Sequence, residues 1–345
     1  MTDIESKTIS VLRWFMLIGV VFIHSHISHI PLNVIPSEEF PVYALIFQLV
    51  SSNYLASISL NVLFFISGYL FFSNLRGGIS WYSLKIKSRC KSLVVPYLIW
   101  NIWWILITAF IGSRGHDLMP VKQWGLIDYL NAFWMLSENG MPLAGYTWFL
   151  RDLFIFAILS PIYYYIITLL TKFKKCSLLV PVILLFINYS SVFFNAYLFI
   201  GSYIALNNYT LDNLVRKKDV WKISILVFIL SGIFYQFKVF GVFMIISGFM
   251  FFYSFSRMIL VKYESRQKII MNVVAGSTFM YVTHTTIMLI FRNLLPSIFN
   301  PQTDFMMIFC YFSHLILTIF TCYIIYRKLK LYAPQVLTII TGGRI

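Results

Sequence analysis

Arg13 and His24 stand in one apolar run, 9–29. Their separation of eleven residues is about 1,100° on an α-helix, about 20° from perfect alignment, so both project from one face. They are about 16 Å apart along the axis. Ionisable groups in a membrane-spanning run are costly and are functional candidates by default. An imidazole takes and returns a proton near neutral pH. A deep His24 facing the interior of a bundle can therefore serve as a general base, with Arg13 as a fixed cation on the same stripe. Two other readings remain: an arginine that snorkels to lipid phosphate, and a histidine that makes a structural hydrogen bond. His26 and His29 follow toward the far end of the run. The spacing does not place all three histidines on one face, and no cysteine or paired carboxylate joins them, so no metal is expected.

Further along, Lys85, Lys87, Arg89 and Lys91 precede Pro96-Tyr97. Lys85 with Arg89, and Lys87 with Lys91, are i,i+4 pairs on adjacent faces. Such a cluster either holds phosphates or anchors a loop to one side of a membrane. Ser67-Gly68, in an aromatic run, reads as close helix packing. Trp148, Arg151 and Asp152 open another run, as an interface anchor or as a substrate-facing patch, and His284 lies in the middle of a later one.

These residues need helices to hold them. Hydrophobic residues make up 59% of the 345 and charged residues 11%, against about 25% charged in a soluble protein. Mean hydropathy is +0.80. A soluble globule cannot hide so much apolar surface, and disorder is excluded by the same numbers. Continuous apolar runs lie near 9–29, 54–73, 93–111, 147–170, 178–193, 196–207, 221–236, 238–260, 272–292 and 305–326. They are continuous rather than alternating, which predicts helices and not a barrel. With the N-terminus inside, 21 Lys and Arg fall in inner segments and 4 in outer ones. That asymmetry predicts an all-α, polytopic bundle of about ten transmembrane helices with both termini cytoplasmic. Residues 1–345 are expected to form a single membrane domain with no appended soluble domain.

The net charge of +15 is accounted for by the inner loops and their anionic lipid, so no nucleic-acid partner is expected. Cys90, Cys176, Cys310 and Cys322 include no C-x-x-C pair, which supports neither a disulfide framework nor a zinc site. The N-terminal run, with Asp3, Glu5 and Lys7 ahead of it and Arg13 within it, does not read as a cleavable signal.

In this order the pieces resemble acyltransferase family 3, a family of integral membrane proteins that includes bacterial O-acetyltransferases of surface glycans. The resemblance spans nearly the whole chain. It rests on Arg13 and His24; Asn61-Val-Leu-Phe-Phe-Ile-Ser-Gly-Tyr69; Lys87-Ser-Arg-Cys-Lys-Ser-Leu-Val-Val-Pro-Tyr97; Trp148-Phe-Leu-Arg-Asp152; Gly201; and Ser277-Thr-Phe-Met-Tyr-Val-Thr-His284. Members commonly carry two arginines three apart before the proline, whereas here Arg89 is followed by Lys91 and Ser92. The resemblance implies transfer of an acyl group, usually acetyl, from acyl-coenzyme A to a hydroxyl of a surface polysaccharide or its lipid-linked precursor, in the bacterial cytoplasmic membrane. It maps the family's essential first-span histidine and arginine onto His24 and Arg13. Coenzyme A is polyanionic, and Arg89, Lys91 and Lys85 are suitable cations for its nucleotide. Ser67, Trp148, Arg151, Asp152 and His284 are the weaker candidates for contact with substrate. A flippase of lipid-linked sugars would also use a basic mouth and buried polar groups, but no inverted repeat is visible. Oligomeric state is not legible in the sequence.

Overall fold

The computed structural model describes residues 1–26, 42–73, 75, 79–111, 121–134, 140–172, 179–187, 194–215, 220–233 and 238–343. Its helices in chain order are α1 (Asp3–Ile23), α2 (Val42–Gln48), α3 (Ile58–Phe72), α4 (Ile79–Arg89), α5 (Val95–Ile111), α6 (Leu126–Trp134), α7 (Trp148–Lys172) and α8 (Leu179–Ile187). They continue with α9 (Ala196–Leu206), α10 (Leu211–Val215), α11 (Val220–Ile233), α12 (Lys238–Lys262), α13 (Gln267–Val274), α14 (Ser277–Phe299), α15 (Asp304–Tyr332) and α16 (Pro334–Thr341). Turns of π-helix, Leu49–Leu55 and Cys90–Val94, join α2 toward α3 and α4 to α5.

Among the described residues, six helical segments are long and apolar enough to cross a membrane: Asp3–Ile23, Val42–Phe72, Trp81–Phe110, Gly145–Lys172, Phe240–Lys262 and Asp304–Tyr332. Glu264–Val274 with Ser277–Phe299, bent by 44°, makes a seventh if taken as one span. The runs expected at 178–193, 196–207 and 221–236 correspond to helices of 9, 11 and 14 described residues, shorter than the roughly 20 that cross hydrocarbon alone. Large apolar side chains such as Leu106, Phe110, Ile316 and Phe320 lie exposed on the long helices. That is the surface of a chain whose solvent is lipid: the protein is a multi-pass helical membrane protein.

The chain divides into two compact units, one of residues 1–75 and 161–327 and one of residues 76–160 and 328–345. In the first, α1 is surrounded by α3, α12, α13 and α14. It runs in the same direction as α13 and α14: Lys7 Nζ donates to Gln267 at 3.2 Å, and the His24 and His284 rings meet. It runs opposite to α3, with Gly19 against Ser59 at one end and Glu5 bonded to Tyr69 at the other. α15 returns beside α14, Phe279 against Tyr326 and Thr283 against Cys322.

In this unit α3 crosses α9 closely. A Cβ on Gly68 would strike the Leu198 carbonyl, and one on Gly201 the Phe65 carbonyl. Glycine at both positions lets two backbones touch, as expected where lipid gives no hydrophobic drive for helix association.

The second unit is held by polar side chains. The Asn101 amide donates to the Tyr97 carbonyl at 2.8 Å and to Thr147 Oγ1 at 3.0 Å, while its oxygen accepts from the Ala144 N–H at 3.2 Å. Trp100 Nε1 donates to the Ile340 carbonyl at 3.0 Å, which docks α16 on α5.

Candidate active site

The start of α1 is fixed by a capping box, in which Thr2 Oγ1 accepts from the Glu5 N–H and the Glu5 carboxylate accepts from the Thr2 N–H. The same carboxylate is fully buried and reaches two other elements. Its Oε1 accepts from the Tyr69 hydroxyl at 2.8 Å and from the Leu211 N–H at 2.9 Å. These bonds set the rotation and height of α1, and with them the direction of its Arg13–His24 stripe. Leu17 and Val20, between the two on that face, are 4% and 2% exposed. The stripe therefore looks into the protein and not into lipid.

Arg13 is half-buried and makes no hydrogen bond or ion pair among the described residues. His24 occupies the C-cap of α1. Its ring is half-buried, makes no hydrogen bond among the described residues, and packs on the His284 ring with centroids 5.2 Å apart and planes at 46°. His284 is 0% exposed, and its Nδ1 lies 2.7 Å from the Tyr281 carbonyl. A carbonyl oxygen only accepts, so Nδ1 carries the hydrogen and the Nε2 of the neutral ring holds the lone pair. Two imidazoles, the second with its tautomer fixed, thus share the end of the stripe. His29 lies outside the described residues.

The other sequence candidates are placed as follows. Ser67 Oγ donates to the Leu63 carbonyl of its own helix at 2.7 Å. Trp148 lies edge-on to Phe149. Arg151 is buried: its Nε donates to Asp152 at 3.0 Å and its Nη1 to the Trp134 and Gly140 carbonyls at 2.6 and 2.9 Å, with the guanidinium over the Trp134 ring. That side chain ties α7 to α6 and its following turn. Lys85 and Arg89 are half-buried on one face of α4, Lys85 over the Trp81 ring, and Lys91 is exposed in the π-turn that follows. Such turns re-aim side chains and recur at functional sites.

Residues 7–327 match the family model described as an acyltransferase domain. The chain belongs to acyltransferase family 3. No curated protein and no solved structure matches it. This membrane acyltransferase uses two residues of its Ile66-Ser-Gly-Tyr69 stretch for construction: Gly68 for the crossing with α9 and Tyr69 for the bond to Glu5. Sequence reasoning missed Glu5 as a structural group, because a carboxylate near a chain start reads as solvated. It also missed His314, buried in α15. A lone histidine within the apolar run 305–326 was the available signal.

Proposed function

We propose that this acyltransferase moves an acetyl group from acetyl-coenzyme A to a hydroxyl of a surface polysaccharide or its lipid-linked precursor, in the bacterial cytoplasmic membrane. In this reading both termini lie in the cytoplasm, the side on which basic loops gather. The observation that carries the reading is the inward stripe of α1, with a guanidinium lacking any partner among the described residues and an imidazole set against His284. A cation held inside a membrane bundle without a counter-charge is costly. It is worth keeping if the ligand brings the negative charge.

In the proposed step, a nitrogen of His24 takes the proton of the acceptor hydroxyl as its oxygen attacks the thioester carbonyl. The tetrahedral intermediate collapses with breaking of the C–S bond. The thiolate leaves and takes the proton back from the imidazolium, giving an ester and free coenzyme A. Arg13 supplies positive charge to the donor. His284 fixes the ring orientation of His24 by packing, as base-orienting partners do. Lys85 and Arg89 on α4 and Lys91 in the π-turn after it are cations suited to phosphate, which we assign to the nucleotide of the donor.

The test is His24→Ala expressed in a strain deleted for the protein, with acetyl groups on surface glycans counted by mass spectrometry. The variant is expected to insert normally and to lose acetylation by about a hundredfold or more. Normal acetylation in those cells would remove His24 from the mechanism.

A further inference from the structure

Beyond the His24–His284 pair, the same unit holds a second cluster of titratable groups that the proposed chemistry does not use. His26 lies two residues past His24, and Arg292 two turns past His284, about 12 Å further along α14. Arg292 Nη1 is 3.1 Å from His26 Nε2. A guanidinium only donates, so His26 Nε2 accepts. Across from them on α15, His314 is 3% exposed and its Nδ1 lies 3.2 Å from the Cys310 carbonyl. Nδ1 is therefore the protonated nitrogen of the neutral ring, and Nε2 carries the lone pair. That Nε2 is buried without a hydrogen-bond partner among the described residues.

The two sides face one cavity at the α14–α15 turn, lined by His26, Arg292, Pro296, Pro301, Tyr311 and His314. Its inner space admits about one water-sized group. Tyr311 does not supply the missing partner. Its hydroxyl is held by Ser51 and Ser52 at 2.9 and 2.6 Å, two neighbouring serines turned to the same phenol by the π-helical turn.

The cavity selects by chemistry. A group that fits must donate a hydrogen bond to His314 Nε2 and accept one from Arg292, and it must be small. A carboxylate or phosphate oxygen has no proton for the imidazole lone pair. An ammonium has no lone pair for the arginine and is repelled by it. A hydroxyl satisfies both sides with one oxygen.

We propose that this cavity is a hydroxyl-binding subsite for the acceptor, in which His314 accepts a hydrogen bond from one acceptor hydroxyl and Arg292 donates to its oxygen. The assignment rests on the acyltransferase reading given above and adds where a non-reacting hydroxyl of the acceptor is gripped. A buried polar partner left empty by the wrong ligand is a strong source of discrimination, so the cluster would act in choosing the acceptor and not in the acyl-transfer step.

The test uses the full-length protein. Thermal stabilisation by acetyl-coenzyme A reports the donor side in purified protein, and mass spectrometry of surface glycans reports transfer to the native acceptor in a deletion strain. His314→Phe keeps the ring bulk and removes the acceptor nitrogen, while His314→Gln restores an acceptor oxygen. The His314→Phe variant is expected to keep its donor stabilisation and lose about tenfold in acetylation; His314→Gln is expected within about threefold of the unmodified chain. If His314→Phe fails the gel-filtration check for folding, Arg292→Gln serves in its place with the same expected loss. Full acetylation by the folded variant would overturn the proposal and leave only a water in the cavity. Loss of donor stabilisation together with acetylation would also overturn it, since the residue would then be structural. An unmodified chain that neither responds to acetyl-coenzyme A nor acetylates glycan would sink the underlying reaction, and the subsite with it.

Discussion

Glu5→Ala removes one carboxylate and leaves two buried donors, the Tyr69 hydroxyl and the Leu211 N–H, without their acceptor. An orphaned buried donor costs about 1–3 kcal/mol, so the pair costs about 2–6 kcal/mol. The N-cap bond from the residue-5 N–H to Thr2 Oγ1 is kept, and only the reciprocal bond from the Thr2 N–H is lost. Glu5→Gln keeps an acceptor oxygen and loses only the charge-assisted part of both bonds, about 1–2 kcal/mol. Midpoints of thermal unfolding, followed by gel filtration of detergent-purified protein after a heating ramp, should therefore rank the unmodified chain above Glu5→Gln and Glu5→Ala last. A cycle with Tyr69→Phe separates the hydroxyl bond from the other contacts; a coupling of about 1 kcal/mol or more is expected. Because Glu5 sets the rotation of α1, the proposed acetyl transfer should fall in parallel with stability even though Glu5 is remote from His24 in sequence. Equal midpoints for all three proteins, or a coupling near zero, would refute the claim that this carboxylate positions the stripe.

Two further outcomes follow from packing. Gly201→Ala places a Cβ 2.9 Å from the Tyr69 nitrogen and onto the Phe65 carbonyl, backbone atoms that cannot step aside; a loss of about 1–3 kcal/mol is expected, against no loss for the control Gly241→Ala, whose Cβ meets nothing. Arg151→Lys exchanges a planar fork bonded to Asp152, Trp134 and Gly140 for a single ammonium that cannot reach all three; thermal inactivation should come earlier by a margin equivalent to about 2–4 kcal/mol, and an unchanged inactivation curve would count against the staple role.

What could be read in the sequence was what depends on local pattern. The continuous apolar runs predicted membrane helices, and the eleven-residue spacing predicted that Arg13 and His24 share a face, because helical period alone decides that. The small residues at Ser67-Gly68 predicted a close crossing, though not its partner on α9. What could not be read was what depends on chain segments meeting from far apart. Lys7 meets Gln267 and His24 meets His284, residues 260 apart in each case, and no window of sequence contains such pairs. The π-turn that brings Ser51 and Ser52 to one phenol also left no compositional mark. The number of crossings was least legible where the apolar run was short: α9 has only 11 residues and is buried along most of its length. A run that short carries the same hydropathy whether it lies against lipid or against protein.

The alignment of α1 with α13 and α14 has a consequence for how the enzyme comes into being. The first helix leaves the ribosome long before its companions, and the imidazole it carries meets its counterpart only once the last third of the chain has been threaded into the bilayer. Contacts so distant along the polymer are slow to form and expose incomplete intermediates. The bundle around α1 thus stays incomplete until α14 has been made, and a chain stalled before α14 lacks one of the helices that pack on α1.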